Sequence, residues 1–260
     1  MIKILVTGAN GQLGRTIHKF KNDYKNAEFI FCDSNELNIT KKDSVESVFE
    51  RYQPDYCINC AAYTNVEKAE DEPEKAFEVN AEGVKNLAEA CKVNHTILIH
   101  ISTDYVFDGE KGTPYSIDDI TNPINEYGKS KLKGEQYIQD ILDKYFIIRT
   151  SWLYSKEFGK NFYKTILDKA QKGVEIRVVD SQVGCPTGVV NLHRYVKDIV
   201  EGKNTLYGIK HYCDGEVLSW YDFARKIVKE SGFENVNVVC DNSYVTKAKR
   251  PKYSVLDSTE

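Results

Sequence analysis

Tyr127-Gly-Lys-Ser-Lys131 places a phenol and an ammonium four residues apart. On a helix that spacing puts both side chains on one face, one turn apart. A phenol in water holds its proton up to a pH of about 10, too high for transfer at neutral pH, and a nearby ammonium favours the phenolate and lowers that value. Seventeen tyrosines make chance pairs of this kind inevitable, so the pair acquires meaning only from its neighbours. Upstream, Ser102-Thr103-Asp104 closes an apolar run and sets a hydroxyl at its end. Thr103 could hydrogen-bond a carbonyl while Tyr127 gives the oxygen its proton, and Lys131 could both tune the phenol and bind the ribose hydroxyls of a nicotinamide. Carbonyl reduction needs this set: a hydride donor on one face and an acid beside the developing alkoxide.

A second constellation stands at the other end of the chain. Thr7-Gly8-Ala9-Asn10-Gly11-Gln12-Leu13-Gly14 follows the first apolar run and opens a helix. Gly8 suits a tight turn, Gly11 lets backbone approach a pyrophosphate, and Gly14 allows close packing of the helix on the strand. The spacing is Gly-x-x-Gly-x-x-Gly rather than the shorter dehydrogenase fingerprint. Asp33 closes the second strand 19 residues after Gly14, where a carboxylate can hold adenosine ribose hydroxyls. The alternative for Asp33 is an ordinary surface-turn aspartate. A carboxylate there repels a 2′-phosphate and favours NADH unless it turns away. Arg15 could compensate, so NADPH and NADH both remain open.

Composition narrows the setting. At 260 residues and net charge −4, with 35 basic against 39 acidic residues, the chain has ample core and little pull on nucleic acid. Lys247-Ala-Lys-Arg250 is too short a cluster to change that. No run approaches the roughly 18 apolar residues of a membrane span, and the N-terminus enters a strand directly, so the expectation is a cytoplasmic protein with no membrane partner. Seven cysteines in such a chain point to reduced thiols. Cys57 and Cys60 lie three apart on an expected strand and so face opposite sides, with no second pair to complete a zinc site; no metal is expected.

The elements that must position these groups alternate. Strands are expected at 2–7, 28–32, 56–60 and 96–102, with further candidates at 145–149 and 175–179. Between them lie amphipathic stretches at 41–52, with Thr40 and Asp43 as its N-terminal cap, and from Pro73 to Cys91. After about residue 150 the rhythm loosens into helices at 161–172 and 219–231 and short strands at 207–213 and 236–240. The fold class is α/β: a doubly wound parallel sheet of Rossmann type with a smaller C-terminal α/β substrate lobe. The expected division is a dinucleotide-binding domain over 1–150, with a returning strand and helix from about 174–203, and a mainly substrate-binding lobe over 151–260. The loops after Thr7, Cys32, Cys60 and Ser102 should form the site.

With these motifs in that order, the chain resembles the extended short-chain dehydrogenase/reductases and, within them, the dTDP-4-dehydrorhamnose reductase family. The resemblance is carried by Gly8 to Gly14, Asn59-Cys-Ala-Ala-Tyr-Thr64, Ser102-Thr-Asp-Tyr-Val-Phe-Asp-Gly109, Tyr127 to Lys131, Arg149-Thr-Ser-Trp-Leu-Tyr154, Gly184-Cys-Pro-Thr187 and Arg250-Pro-Lys-Tyr-Ser254. It implies NAD(P)H-dependent reduction of the 4-keto group of dTDP-4-dehydro-L-rhamnose to dTDP-L-rhamnose. It makes Thr103, Tyr127 and Lys131 the catalytic residues. It makes Gly11, Gln12, Leu13, Asp33, Asn38, Ile39, Ala62, Tyr63 and Thr64 cofactor contacts beside Gly8 and Gly14, and Asp104 and Trp152 substrate contacts alongside Thr103. Core packing is the competing role for Trp152. Family members often carry an aspartate in place of Asn38. Some relatives bridge a dimer with magnesium through acidic residues where this chain has Thr16 and Val190, so the expected state is monomer or homodimer without metal. Related 4,6-dehydratases need an Asp-Glu pair after the threonine. Here Tyr105 follows Asp104 and cannot replace a carboxylate base at neutral pH, so reduction fits better than elimination. The alternatives are a reductase of another 4-keto sugar nucleotide and a non-catalytic regulatory subunit of the methionine adenosyltransferase type.

Overall fold

The computed structural model describes residues 1–233 and 235–258. Glu260, the last residue of the expected lobe, lies outside the described residues. The chain runs β1 (Ile2–Thr7), α1 (Gln12–Lys19), β2 (Ala27–Cys32), α2 (Lys42–Tyr52), β3 (Tyr56–Asn59), α3 (Val66–Ala69), α4 (Pro73–Phe77), a π-helical turn (Glu78–Glu82), α5 (Gly83–Asn94), β4 (Ile97–Thr103), α6 (Glu126–Ile141) and β5 (Tyr145–Thr150). It continues through β6 (Leu153–Tyr154), α7 (Phe162–Gln171), β7 (Ile176–Val178), β8 (Val183–Gly184), β9 (Thr187–Gly188), α8 (Val189–Val200), β10 (Gly208–His211), β11 (Leu218–Ser219), α9 (Trp220–Glu230) and β12 (Val238–Cys240).

Six strands form one parallel sheet in the order β10-β5-β4-β3-β1-β2. Strand alternation sorts its apolar side chains onto two faces. Leu5, Cys57, Leu98 and Ile147 pack with Val45, Phe49, Val84, Leu87 and Ile138 from α2, α5 and α6. Ile4, Val6, Ile58, Ile99, Phe146 and Ile148 pack with Leu13, Ile17, Leu192 and Val196 from α1 and α8. A sheet covered on both faces is what continuous apolar strands require. β1 pairs with β2 on one side and β3 on the other, which makes the space between β1 and β3 the point where chain direction across the sheet reverses.

Two expectations need correction. Ile176–Val178 does not return to the central sheet; it pairs with Val238–Cys240. Its middle residue, Arg177, is exposed between two buried ones, which suits a two-stranded sheet open on one face. The strand that returns is Gly208–His211, which follows α8 and pairs in parallel with Phe146–Arg149. Nor do Thr40 and Asp43 cap α2: its N-cap is Lys41 with no side-chain bond, because the Thr40 hydroxyl donates to Asn38 Oδ1 at 3.0 Å. Pro73 does occupy the first turn of α4. Beyond the sheet, Tyr163, Ile166, Ile176, Phe223 and Ile227 build a separate core from α7, α9 and β7. Among the described residues no helix is long and apolar enough to cross a membrane.

Candidate active site

Loops leaving the carboxyl ends of β1, β2, β3 and β4 border one elongated cleft with two connected halves. The first, about 320 Å³, is lined by Gly8, Asn10, Gly11, Asp33, Asn38, Ile39, Ala61 and Ala62. The second, about 430 Å³, is lined by Gly11, Gln12, Leu13, Ala61, Ala62, Thr64, Thr103, Asp104, Tyr127, Lys131, Thr150 and Trp152. Gly11 and Ala61–Ala62 belong to both and join them. Gly8 adopts φ +60°, and a Cβ there would stand 2.6 Å from Ala61 N, so only glycine fits where the β1 and β3 loops cross. A Cβ at Gly14 would meet Gly8 O and Ala9 Cα at 2.7 Å; its close packing is against the loop's own backbone rather than against the strand. α1 begins after Gly11 with no side chain capping it, which leaves first-turn N–H groups available to an anion. These residues fit a dinucleotide.

At the first half's rim, Asp33 serves two purposes. Its Oδ1 accepts from the N–H of Asn35 at 2.8 Å and shapes the turn, while Oδ2 accepts from Asn10 Nδ2 at 2.9 Å. Arg15 stacks on Phe158, 4.4 Å from its ring centroid, and shares a side cavity with Asp33, His18 and Lys19. Asn38 Oδ1 accepts from Thr40 N–H at 3.1 Å, bracing its loop. Tyr63 turns away from both halves: its phenol donates to Glu72 at 2.6 Å and its N–H donates to Asn80 Oδ1 at 2.8 Å. Gln12 Oε1 accepts from Asn161 Nδ2 at 2.7 Å, which ties a loop from the second half of the chain to the start of α1.

In the other half, β4 ends at Thr103, whose hydroxyl donates to Asp104 Oδ1 at 3.0 Å and accepts from Tyr105 N–H at 3.2 Å. Asn125 caps α6 by accepting from Gly128 N–H at 2.8 Å, and its own amide donates to Lys249 O at 2.8 Å. That fixes the turn bearing Tyr127. Burial drives the Tyr127 phenol well above the usual tyrosine range, with Asp104 and Tyr105 adding to the rise and the Thr103 hydroxyl opposing it. The expected lowering by Lys131 is not what this arrangement produces. Lys131 Nζ is directed to Ile101 O at 2.7 Å and to His100 Nε2 at 3.2 Å, and burial outweighs any charge effect on the phenol. Tyr127 therefore holds its proton at neutral pH, the state a donor needs. Burial brings Lys131 down to about 8, with Glu135 opposing.

Asp104 is buried, and burial raises its carboxyl to about 7 against the pull of the Ser254 and Thr103 hydroxyls. Asp104 Oδ2 and Thr150 Oγ1 are both buried without a hydrogen-bond partner, and both residues line the same half of the cleft. Tyr105, the residue after Asp104, is pushed up to about 12 by burial and stacks edge-on to Tyr127 with ring centroids 5.9 Å apart. Trp152 sits at φ +48°, a backbone region disfavoured for a bulky residue. One face of its indole lies 3.5 Å from Trp220, within 6° of parallel, so packing and cleft lining coexist in this residue.

The framework beneath was not anticipated residue by residue. Thr7, Asn59 and His100 lie side by side across β1, β3 and β4. Thr7 Oγ1 donates to Asn59 Oδ1 at 2.6 Å, and Asn59 Nδ2 meets His100 Nδ1 at 2.9 Å. One turn past Lys131, Glu135 is fully buried and takes hydrogen bonds from Arg149 and from Ser102. Asn80, exposed to neither solvent nor cleft, bridges Tyr63 O and Ser130 Oγ, both at 3.0 Å. The available signal was polar residues inside apolar strands, at Asn59 and His100.

Known proteins are similar to this chain in sequence and in fold. Residues 2–260 match the family described as the RmlD substrate binding domain. A dTDP-4-dehydrorhamnose reductase from Aggregatibacter actinomycetemcomitans is 42% identical over 271 aligned positions that cover 100% of this chain and 92% of that protein. Among solved structures, a dTDP-4-dehydrorhamnose reductase from Clostridium acetobutylicum superposes with TM-score 0.93 at 44% identity, over 99% of this chain and 90% of that one. One from Bacillus anthracis, in complex with NADP, gives TM-score 0.93 at 37% identity, over 99% of this chain and 91% of that one.

Proposed function

This chain belongs to the RmlD substrate binding domain family, the family of the dTDP-4-dehydrorhamnose reductases, and on that premise we propose that it reduces the 4-keto group of dTDP-4-dehydro-L-rhamnose with NADPH or NADH. The observation that carries the reading is the convergence of Thr103, Tyr127 and Lys131 on the cleft half that opens from Gly11.

The nicotinamide supplies the hydride when bound. Gly8, Gly11, Gln12, Leu13 and the first turn of α1 would hold the pyrophosphate, Asp33 with Asn38 and Ile39 the adenosine end, and Ala62 and Thr64 the stretch between. Thr103 hydrogen-bonds the substrate carbonyl, and Tyr127 delivers the phenolic proton to the oxygen as charge develops there. Lys131 would hold ribose hydroxyls on turning from Ile101 O and His100 Nε2. Asp104 and Trp152 orient the sugar. The raised phenol value supports this direction of transfer, because it keeps the proton in place until an alkoxide demands it. Residues 1–150 with α8 and β10 carry the cofactor, and the α7–α9 lobe carries the nucleotide-sugar. A cytoplasmic enzyme acting as monomer or homodimer on a small soluble substrate completes the reading.

The test is a coupled assay on dTDP-4-dehydrorhamnose beside other 4-keto sugar nucleotides, with each cofactor. Turnover on the rhamnose precursor is expected. Turnover only on a different 4-keto sugar would move the assignment to that substrate, and no turnover with either cofactor would remove the reductase function.

A further inference from the structure

Lys131 ends a hydrogen-bonded row that begins on β1 and crosses β3 and β4, and donor counting along that row determines its protonation. Ala61 N–H can only donate, and it reaches Asn59 Oδ1 at 3.1 Å. Thr7 Oγ1 reaches the same oxygen at 2.6 Å. The Asn59 oxygen is thereby the acceptor, and Nδ2, a donor, is the atom that faces His100 Nδ1 at 2.9 Å. His100 Nδ1 must be the bare nitrogen. A neutral imidazole with a bare Nδ1 carries its hydrogen on Nε2. That hydrogen points at Lys131 Nζ, 3.2 Å away.

An ammonium has three donors and no acceptor, so a charged Lys131 would set N–H against N–H. A neutral amine accepts from His100 Nε2–H and still donates to Ile101 O at 2.7 Å. Protonating the imidazole does not relieve the conflict, since it adds a donor facing Asn59 Nδ2. Turning the Asn59 amide over would set its Nδ2 against Ala61 N–H, which would lose its 3.1 Å contact and keep only the longer one to Thr7 Oγ1 at 3.4 Å. The assignment that keeps both short contacts to Asn59 Oδ1 has Lys131 uncharged, and with burial bringing that lysine to about 8 it is the major form above that pH.

The surroundings agree. Lys131 is 1% exposed and His100 is fully buried. Glu135, on the same helix, is the one carboxylate among the described residues that acts on Lys131, and it is already engaged by Arg149 from β5 and Ser102 from β4. Tyr127 and Asp104 lie on the cleft side, Asn80 in the π-helical turn is neutral, and Glu70 and Glu82 meet the outer face of α6. Burial lowers both the lysine and the imidazole, the same direction the donor count requires.

We propose that His100 is a positioning residue that stores Lys131 as a neutral amine below the cleft through Nε2–H donation, and that the amine takes up one proton from solvent as it turns to the cofactor. The proton uptake rests on the proposed cofactor site; the storage does not. The proton comes from water or buffer and ends on Nζ, with no electron transferred and no other bond changed.

The test begins with the cofactor-free protein. Side-chain NMR of labelled lysine and histidine should show His100 with bare Nδ1 and protonated Nε2, and Lys131 titrating about two pH units or more below the ordinary lysine value. In His100→Gln the side-chain amide can turn its oxygen toward Nζ, and the Lys131 midpoint should rise by about one pH unit or more. A merely structural role would leave that midpoint where it was. Calorimetry of NADPH binding at pH 8.5, in buffers of different ionisation enthalpy, should show uptake of about half a proton or more per site, reduced in His100→Gln. A bare Nε2, an ordinary ammonium at Lys131, or the same midpoint in both proteins would overturn the storage role. Should the variant not fold, the wild-type tautomer and titration decide alone. Absence of NADPH binding with the expected tautomer and titration would fault the cofactor site and leave the storage role standing.

Discussion

Arg149 Nη2 stands 2.7 Å from Glu135 Oε2, inside the joint between the sheet and the helix that carries Tyr127 and Lys131. Arg149 Nε also reaches both carboxylate oxygens, at 3.1 and 3.2 Å, and Ser102 donates to the same group. The pair is nearly inaccessible to water, with side-chain exposures of 3% and 0%. Removing one member strands the other as an uncompensated charge, which costs far more than an exposed pair contributes. Glu135→Gln should lower unfolding stability by roughly 3–5 kcal/mol in urea titration. A loss under about 1 kcal/mol, the worth of an exposed pair, would mean the joint does not depend on the ion pair.

Tyr127→Phe removes the proton donor and leaves the glycine loop untouched. Turnover should fall by about 10²–10⁴-fold, the usual contribution of a positioned acid, while the cofactor dissociation constant stays near wild type. Steady-state kinetics beside fluorescence titration of the cofactor separates the two, and unchanged turnover would take Tyr127 out of the donor role.

Lys131→Ala should weaken both quantities, because a cofactor without its ribose contact binds less tightly and holds its nicotinamide less well for transfer. A variant that lost turnover but bound cofactor normally would show that the ribose contact is wrong.

Asp104 links the site to pH. Its native value of about 7 lies above the ordinary 3.8 because burial disfavours the carboxylate. Below pH 4 both folded and unfolded forms are protonated; between about 4 and 7 the folded form holds a proton that the unfolded form has released. Stability therefore falls as pH rises through that window and levels off above 7. Asp104→Asn should flatten the slope, leaving the variant more stable than wild type at pH 8 relative to pH 4 by a few kcal/mol, on the order of 1.4 kcal/mol for each pH unit the window spans. Parallel slopes for the two proteins would assign the pH dependence elsewhere.

Asp33→Ala should cost NADH affinity more than NADPH affinity, since the carboxylate favours ribose hydroxyls and opposes a 2′-phosphate beside Arg15. Equal losses would mean that Asp33 acts only through the turn it shapes with Asn35.

Much of this architecture is legible in the order of residues alone. The unbroken apolar run Ile4-Leu5-Val6 announces a strand covered on both faces, and the three glycines with Asp33 announce the cleft's first half. Thr103, Tyr127 and Lys131 line one half of the cleft. What the sequence could not supply was register. Nothing in the order of residues says that Asn59 lies beside His100, and without that pairing Lys131 looks like a charge for Tyr127 rather than the partner of an imidazole. The returning strand is hard to place for a similar reason: 176–178 and 208–211 are both short and each carries a basic residue, Arg177 or Lys210, and only the preceding crossover decides which sheet each joins.

The π-helical turn at Glu78–Glu82 gives the run from Pro73 to Asn94 a phase as well as a length. Ahead of it Ala76 is buried; within it Asn80 reaches Tyr63 and Ser130; beyond it Val84, Leu87 and Cys91 fill the core. An ordinary helix advances about 100° per residue. A π turn holds one residue more than an α turn, so deleting a single residue here would let the segment close into regular α-helix with Leu87 and Cys91 still facing the core, while Asn80 would lose its bridge. The extra residue thus serves the polar bridge beneath the cleft, not the packing of the helix that follows.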